Sequence, residues 1–316
     1  MQVKIRSLAV GAATYLPLLR TLSGRRTGGT TSARYCYSVW LRHLCIAHLA
    51  SLPTSFTTIV ELGPGDSLGI GMAALISGAS RYAALDTVRY AETQRNLQIF
   101  DQLVDLFRRR EPIPDASELP FLQPRLTSYG FPHHILTAER LEFALDPQRL
   151  DVIRSTLRDP DRAAGTGKMI AYICPWQPDD LQDQMADLII SQSVLQYPSD
   201  LKPVYVEMAR WLKPGGLMSH EIDFKSIGLT SGWNGHWTCS DALWRLVAGR
   251  RRHRINREPC SKHIALLKSV NCRVARVERT RQPSAIAREQ LAPRFRSLDD
   301  EDLTTSSALI QSVKIG

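Results

Sequence analysis

Apolar and polar stretches alternate along the chain in a pattern that predicts strands and helices in turn. Residues Thr58–Leu62 form a short apolar run between polar residues, as expected for a strand covered on both faces of a parallel sheet. A glycine turn follows, then a helical pattern over 68–77, then a second apolar run over 82–86 that ends on a carboxylate. This order predicts a β-α-β unit of a parallel sheet.

The same kind of pattern continues to the end of the chain. A helical segment near 8–19 and a helix over 33–51 precede the first strand, and a long helix over 91–110 follows the second. The further predicted strands are 168–174, 187–191, 217–224 and 273–277, with a last one inside 298–314, and the further predicted helices are 137–157, 201–212 and 263–268. The predicted fold class is α/β, a doubly wound, seven-stranded, mostly parallel sheet with an N-terminal helical segment and an inserted cap.

Some regions interrupt the regular alternation of strand and helix. Residues 1–34 are basic and apolar and end in a Gly/Thr/Ser loop, which is a candidate to order over a ligand, whereas 35–316 form the main domain. Within that domain the proline-rich 111–167 delays the third strand and predicts an inserted cap over the substrate side. Residues 225–262 predict a second elaboration on the same side.

The turn after the first strand carries the clearest chemistry. Gly63 and Gly65 permit a sharp backbone turn and a close approach to a ligand. Asp86 lies about 20 residues further on, the distance at which nucleotide-binding folds place an acid against ribose hydroxyls. The unit therefore predicts a ligand that contains ribose.

Two departures from the dinucleotide-binding pattern narrow the choice of ligand. The third glycine of G-x-G-x-x-G is displaced to Gly69, and acids flank the turn at Glu61 and Asp66. Acids at this turn repel a pyrophosphate and suit a ligand that carries an ammonium and a sulfonium. A nicotinamide-dependent dehydrogenase is therefore disfavoured.

Two motifs resemble a known family. The E-L-G-P-G run at 61–65, with Asp86 at the end of the next strand, resembles the S-adenosylmethionine site of class I methyltransferases. Residues 186–196 and the L-K-P-G-G run at 212–216 are similar to that family's fourth strand and its turn into strand five. The two motifs stand in the family's order, about 120 residues apart, which is more specific than a single glycine pattern.

The resemblance implies S-adenosyl-L-methionine as cofactor and gives the turn residues their roles. Gly63 and Gly65 approach the amino acid part of the cofactor, and Asp86 accepts hydrogen bonds from the ribose hydroxyls. Glu61 either orients the turn or meets the ammonium.

Further cofactor-binding residues follow from the same resemblance. Ser191 and Gln192, at the end of strand four, lie near the methionine portion, and Trp176 or Gln177, after strand three, contacts the adenine. Tyr35 and Tyr37, on the helix before strand one, are further candidates for the pocket.

Polar residues with catalytic potential cluster at and after the end of strand five. If the acceptor is a hydroxyl, methyl transfer needs a base near the transferred methyl. His220 is the first candidate, because it lies where substrate and sulfonium meet. Asp223 or Glu221 orients it or acts instead, and His236 is the next candidate. No metal ligand set is predicted.

The choice of acceptor depends on charge and aromatic residues. The formal net charge is +9, and 245–257 is rich in arginine, which suits a phosphate-bearing partner or, equally, a solvated helix face. Together with Trp233 and Trp237 it predicts a small polar acceptor, most simply the hydroxyl of a sugar or glycan-related metabolite. Nucleic acid is a less favoured acceptor, because no aromatic residues alternate with the basic ones. A cofactor-binding partner without catalysis is the remaining alternative.

Composition is that of an ordinary folded protein. Hydrophobic residues make up 43% and charged residues 22%, so wholesale disorder is excluded. The apolar segment near 8–19 is too short to span a bilayer. The six cysteines are scattered without a C-x-x-C pair, which predicts free thiols in a cytoplasmic protein. No feature of the sequence determines an oligomeric state.

Overall fold

The structure, a computed structural model, describes residues 3–15, 29–160, 167–251 and 253–316. The strands are β1 Thr58–Leu62, β2 Arg81–Leu85, β3 Ile170–Ile173, β4 Ala186–Gln192, β5 Leu212–Asp223, β6 Cys272–Arg281 and β7 Thr305–Lys314. The helices are α1 Ile5–Ala13, α2 Ala33–Leu49, α3 Gly69–Ile76, α4 Thr93–Arg108, α5 Ala138–Ala144, α6 Pro147–Arg158, α7 Leu201–Trp211, α8 Asp241–Ala248, α9 Cys260–Ser269 and α10 Asp300–Thr304.

The seven strands form one sheet in the order β3-β2-β1-β4-β5-β7-β6. Five strands, from β3 to β5 in this order, run parallel to one another, and β7 runs antiparallel to both β5 and β6. The predicted doubly wound, mostly parallel sheet is therefore confirmed. Since the parallel strands share a direction, their carboxyl ends meet at one edge of the sheet.

Helices cover both faces of the sheet. On one face, α2, α3 and α4 pack together over the strands with buried aromatic residues such as Trp40 and Phe107. On the other face, α7 and α9 contribute Tyr205, Trp211 and Leu267. The central strand β1 is buried along its whole length, which explains why its sequence shows no alternation of apolar and polar residues.

The segment 111–160 contributes to the core as well as to the surface. The predicted helix over 137–157 is two helices, because Asp146 caps α6 by accepting a hydrogen bond from the Arg149 N–H at 3.0 Å and Pro147 opens that helix. Leu150 and Ile153 of α6 join the core of the α2 face.

Strand five begins earlier than predicted. Leu212 already pairs with Ala186 of β4, and the register shifts once before the regular pairing of Leu188 with Leu217. The L-K-P-G-G run is thus the first part of β5 rather than a turn before it. Among the described residues, no helix is long and apolar enough to cross a membrane.

Close packing of α3 on β2 gives a stability prediction. A Cβ at Gly71 would lie 2.0 Å from Cζ of the Tyr82 ring. We expect Gly71→Ala to lower the free energy of unfolding by about 1–3 kcal/mol, although alanine alone would favour a helix by about 1 kcal/mol. Urea denaturation measures the change.

Gly130→Ala is the matched control. Gly130 is exposed, and a Cβ there would meet only Ser128 Oγ, at 3.7 Å. Equal stability of the two variants would contradict the close approach of α3 to β2.

Candidate functional site

A cavity of about 1080 Å³ opens at the carboxyl edge of the parallel strands. Its wall comes from the loop before α2, from the ends of β1, β2, β4 and β5, from the loop after β3, and from 119–123. Lys225, Ile227 and His253 add a contribution from the elaboration after β5. This volume lies near the upper end of the range of ligand pockets, which usually measure roughly 300–1,000 Å³.

The glycine turn forms one side of this cavity and needs its glycines. Gly63 and Gly65 have φ of +64° and +75°, which side chains disfavour. The Gly63 N–H donates to the Leu85 carbonyl at 2.8 Å, and a Cβ on Gly63 would lie 2.6 Å from Val194 Cγ2. The turn therefore brings bare backbone against whatever occupies the cavity.

Thr30 holds the glycine turn from outside the sheet. Its hydroxyl donates to the Pro64 carbonyl at 2.9 Å and accepts a hydrogen bond from the Ser67 N–H at 3.0 Å. Gly29 and Thr30 both line the cavity. The end of the predicted Gly/Thr/Ser loop thus lies at the site, whereas its residues 23–28 lie outside the described part of the chain.

Asp86 lies in the cavity wall, just beyond the end of β2. Its carboxylate accepts hydrogen bonds from the N–H groups of Thr87 at 2.8 Å and Val88 at 3.4 Å. Burial raises the pKa of this carboxyl, while these backbone donors and that of Gly65 oppose the rise. The wall thus presents a hydrogen-bond acceptor beside the glycine turn, where ribose hydroxyls are predicted.

Glu61 lies behind the turn rather than in the wall. Its side chain is buried and accepts a hydrogen bond from the Tyr82 hydroxyl. Burial raises the pKa of Glu61 to about 7. Of its two predicted roles, these contacts support orientation of the turn.

Of the cofactor-binding residues predicted near the ends of β3 and β4, some line the cavity and others lie outside it. Trp176 lines the cavity and packs edge-on against Trp211 at 5.5 Å, whereas Gln177 is exposed and lies outside the wall. Gln192 lines the cavity, but Ser191 is buried against His220, with 2.8 Å between Ser191 Oγ and His220 Nδ1. Tyr35 also lies in the wall, whereas Tyr37 is buried in the core and lies outside it.

The two predicted catalytic histidines do not reach the cavity. His220 is fully buried, and its Nε2 has no hydrogen-bond partner. His236 is buried between the rings of Trp237 and Trp244, at 4.7 and 6.0 Å. Burial lowers the pKa of each histidine to about 3, so both are neutral. Neither imidazole lines the cavity.

Alternation along β5 explains why His220 points away. Neighbouring residues of a strand face opposite sides of a sheet, so Glu221 and Asp223 share one side and His220 lies on the other. The structure brings Glu221 and Asp223 into the wall. The sequence contains this signal, because residues two apart on a strand share a side, so Glu221 shares the side of Asp223 and His220 does not.

Glu221 is the buried acid of the cavity. Its carboxylate accepts hydrogen bonds from Ser193 Oγ at 2.7 Å and Gln192 Nε2 at 3.1 Å. Burial raises the pKa of Glu221 to about 7, Asp223 adds to the rise, and the Ser193 hydroxyl and Lys225 oppose it. This carboxylate is therefore set to exchange a proton near neutral pH.

The wall carries more negative than positive charge. Its carboxylates are Asp86, Glu221 and Asp223, whereas Lys225 is its single lysine and pairs with Asp223 at 2.9 Å. None of the described arginines lies in the wall.

Two arginines of the segment 245–257 make contacts within the fold. Arg251 donates to carbonyls at the end of α8, including that of Ala248 at 3.0 Å. Arg257 is buried, pairs with Asp241 and stacks over the Trp244 ring at 5.4 Å. These two side chains hold the elaboration together rather than presenting a phosphate site.

The tryptophans predicted to stack on a sugar also lie outside the wall. Trp237 is fully buried. Trp233 donates from Nε1 to the Pro283 carbonyl at 2.9 Å, and the two rings pack edge-on at 6.1 Å. Both pack the elaboration onto the C-terminal part of the chain.

Burial of His220 predicts a pH-dependent loss of stability. The folded-state pKa of about 3 lies below the unfolded value of about 6.5, so the unfolded chain binds the proton first as the pH falls. When the pH falls from 7.5 to 5.5, the free energy of unfolding of the wild type should decrease by about 1.4 kcal/mol more than that of His220→Gln. Urea denaturation at the two pH values measures this difference.

Ser191→Ala is the control for that experiment. It removes the hydrogen bond to His220 but leaves the histidine buried, so it should keep the wild-type pH dependence. The same loss in wild type and His220→Gln would show that His220 is protonated in the folded state.

The profile of one protein family matches part of the chain. The profile of the methyltransferase domain family matches residues 144–219, from the end of α5 to the middle of β5. The comparison with curated proteins found no match.

Several solved structures are similar to the chain. One is a Haloferax volcanii protein assigned as a methyltransferase, in complex with the Trm112 methyltransferase activator (14% identity, 89% of this chain and 98% of that chain covered, TM-score 0.42). Another is a Galdieria sulphuraria protein assigned as a sarcosine dimethylglycine methyltransferase (12%, 88% and 85%, TM-score 0.47). A third is the Haemonchus contortus phosphoethanolamine N-methyltransferase 2 with S-adenosyl-L-methionine (12%, 88% and 53%, TM-score 0.44).

The fold, the turn and the family profile lead to the same conclusion. The sheet has the order β3-β2-β1-β4-β5-β7-β6, the glycine turn and Asp86 meet at the cavity, and the methyltransferase profile covers β3, β4 and α7. Residues 144–219 of the chain match the methyltransferase domain family, and the fold and the glycine turn around them are those expected of an S-adenosyl-L-methionine-dependent methyltransferase.

Proposed function

We propose that the protein methylates a small, phosphate-free acceptor, neutral or positively charged, whose attacking oxygen or nitrogen carries a proton that Glu221 removes. The observation that carries the proposal is the cavity wall, with its three carboxylates, a single lysine and no described arginine. Such a wall repels a phosphate-bearing acceptor and tolerates an uncharged or cationic one.

The residues of the glycine turn fit the cofactor that the family uses. Gly63 and Gly65 offer bare backbone, and Asp86 offers an acceptor for ribose hydroxyls. Trp176 lies at the end of the wall where the adenine is expected. The cofactor supplies the methyl group as a sulfonium, which leaves this chain to align the reactants and to handle one proton.

Glu221 is placed for that proton. The acceptor's lone pair forms a bond to the methyl carbon, the carbon–sulfur bond breaks with its electron pair left on sulfur, and the acceptor's proton passes to the Glu221 carboxylate. Its pKa of about 7 suits this step, because general bases work best when their pKa lies near the working pH. Asp223, two residues along β5, lines the same side and helps to hold the acceptor.

The other predicted acceptors receive less support. The prediction of a sugar or glycan hydroxyl rests on Trp233, Trp237 and the arginines of 245–257, and none of these residues that the structure describes lines the wall. Nucleic acid would bring phosphates to a wall that carries three carboxylates. A partner without catalysis would need no buried acid beside the expected methyl position.

The acceptor class is tested with labelled cofactor. Methyl transfer from S-adenosyl-L-methionine is measured to polyols, phenols and primary amines, and to phosphorylated forms of the same compounds. We expect turnover with unphosphorylated acceptors and loss of turnover on phosphorylation. Preference for the phosphorylated forms, or for RNA, would overturn the proposed acceptor class.

Asp86→Asn should weaken cofactor binding. The asparagine keeps an oxygen for the Thr87 N–H but loses the charge that ribose hydroxyls meet. Loss of a charged hydrogen-bond acceptor costs about 1.5–3 kcal/mol, so calorimetry should give a Kd for S-adenosyl-L-methionine raised about 10- to 150-fold. Asp101→Asn, on the exposed side of α4, is the matched control and should leave the Kd unchanged.

Glu221→Gln should separate catalysis from cofactor binding. Glutamine keeps the shape of the side chain but takes up no proton, so kcat should fall about 10²- to 10⁴-fold while the cofactor Kd stays within about twofold. In the wild type the rate should rise with pH through about 7, because the base acts only when ionised. Glu142→Gln, on exposed α5, is the control, and full activity of Glu221→Gln would remove Glu221 from the mechanism.

A further inference from the structure

A line of polar side chains runs from the interior of the protein to Glu221. Gln311 Nε2 lies 3.0 Å from Ser219 Oγ, which lies 2.7 Å from His43 Nδ1. His43 Nε2 lies 3.2 Å from Gln192 Oε1, and Gln192 Nε2 lies 3.1 Å from Glu221 Oε2. We call these five residues the relay. Its first three members are buried away from the cavity, and its last two line it.

The chemistry of the relay sets the direction of each hydrogen bond. An ionised carboxylate only accepts, so Gln192 must turn its amide nitrogen toward Glu221 and its oxygen toward His43. His43 must therefore donate from Nε2. Burial lowers the pKa of His43 to about 4, so the ring is neutral and Nδ1 is an acceptor for the Ser219 hydroxyl.

The inner end of the relay is anchored. The Gln311 amide nitrogen donates to Ser219 Oγ and also to the His43 carbonyl at 3.0 Å, which determines the orientation of that amide. All four side-chain hydrogen bonds of the relay thus point the same way, from Gln311 to Glu221. Hydrogen bonds in such a series polarise and strengthen one another.

We propose that His43 is a positioning residue, which holds the Gln192 amide with its N–H directed at Glu221 and so keeps that carboxylate ionised and aimed into the cavity. The inference rests on the proposed function for the role of Glu221 as the base. Its structural part, the control of Glu221 by His43 through Gln192, stands on the distances of the relay.

Loss of His43 has a direct chemical consequence. Without a donor at its oxygen, the Gln192 amide is free to rotate and to present that oxygen to a protonated Glu221. The protonated Glu221 carboxyl then donates to the Gln192 oxygen, which in the intact relay accepts from His43 instead. The pKa of Glu221 should consequently rise when His43 is replaced by an apolar residue.

Other charged and titratable groups face Glu221 and stay unchanged in such a variant. Asp223 and Lys225 lie on its own strand or just after it, and Tyr35 faces it from α2. Tyr197 faces it from the loop after β4, and His253 lies in the same wall. Ser193, which donates to the same carboxylate oxygen as Gln192, also stays in place. A change in the pKa of Glu221 when His43 is replaced is therefore assigned to loss of the relay.

The test follows the carboxyl group of Glu221 by ¹³C NMR in the enzyme without acceptor. We expect His43→Leu to raise the pKa of Glu221 by about one unit, a tenfold change in its ionisation. His43→Gln places an amide N–H where Nε2–H was, so it should restore a value within about 0.3 unit of wild type. Where an acceptor is available, the rising limb of the pH–rate profile should move by the same amount.

Tyr37→Phe is the matched control. Tyr37 lies on α2 like His43, is buried, and donates from its hydroxyl to the Glu111 carbonyl at 2.6 Å, outside the relay. It should leave the pKa of Glu221 unchanged.

Two outcomes separate this inference from the proposed function. An unshifted Glu221 pKa in a His43→Leu variant that is folded by circular dichroism overturns the relay, even if Glu221→Gln is inactive. Full activity of Glu221→Gln overturns the proposed base, while the carboxyl titration still decides whether His43 controls Glu221.

Discussion

The pairing of β4 with β5 is the constraint on which the cavity depends. The parallel register sets Gln192 against Glu221 and Ser191 against His220. Because side chains alternate along each strand, this register decides which pair faces the cavity and which pair lies in the interior. A slip of one residue would exchange an acid for a buried neutral imidazole at the place where the acceptor is expected. The packed strands on either side of β4 and β5 make such a slip costly.

The sequence predicts the part of the cavity around the glycine turn and Asp86, the cofactor half, better than the part around Glu221, the acceptor half. The cofactor half depends on local backbone requirements, since Gly63 and Gly65 need positive φ and Asp86 ends a buried strand. Such requirements are written into a few neighbouring residues, and the sheet order follows from the alternation of strands and helices. For this reason the sequence predicts the fold and the backbone turn at Gly63 and Gly65, which the structure confirms, while the contacts of these residues with a cofactor stay a prediction.

Which side chains reach the acceptor half depends on tertiary packing, and the order of residues along the chain does not predict that packing. His220, His236, Trp237 and Arg257 have side chains that suit catalysis or recognition, yet each is buried away from the cavity. The number of arginines likewise does not show where their side chains point: Arg251 donates to carbonyls at the end of α8, and Arg257 pairs with Asp241. Contributions such as Thr30 on the glycine turn and His43 behind Gln192 are also long-range, and no local motif indicates them.

The charge of the cavity wall also bears on how the enzyme releases its product. Before transfer, a cationic sulfonium would lie near a wall that bears three carboxylates and a lysine. After transfer, the demethylated cofactor is a neutral thioether, and in the proposed reaction Glu221 has become neutral by taking up a proton. The attraction between wall and cofactor thus weakens from both sides in the same step. If the proposed reaction holds, a wall of this charge would favour the methyl donor over the spent cofactor and so oppose product inhibition.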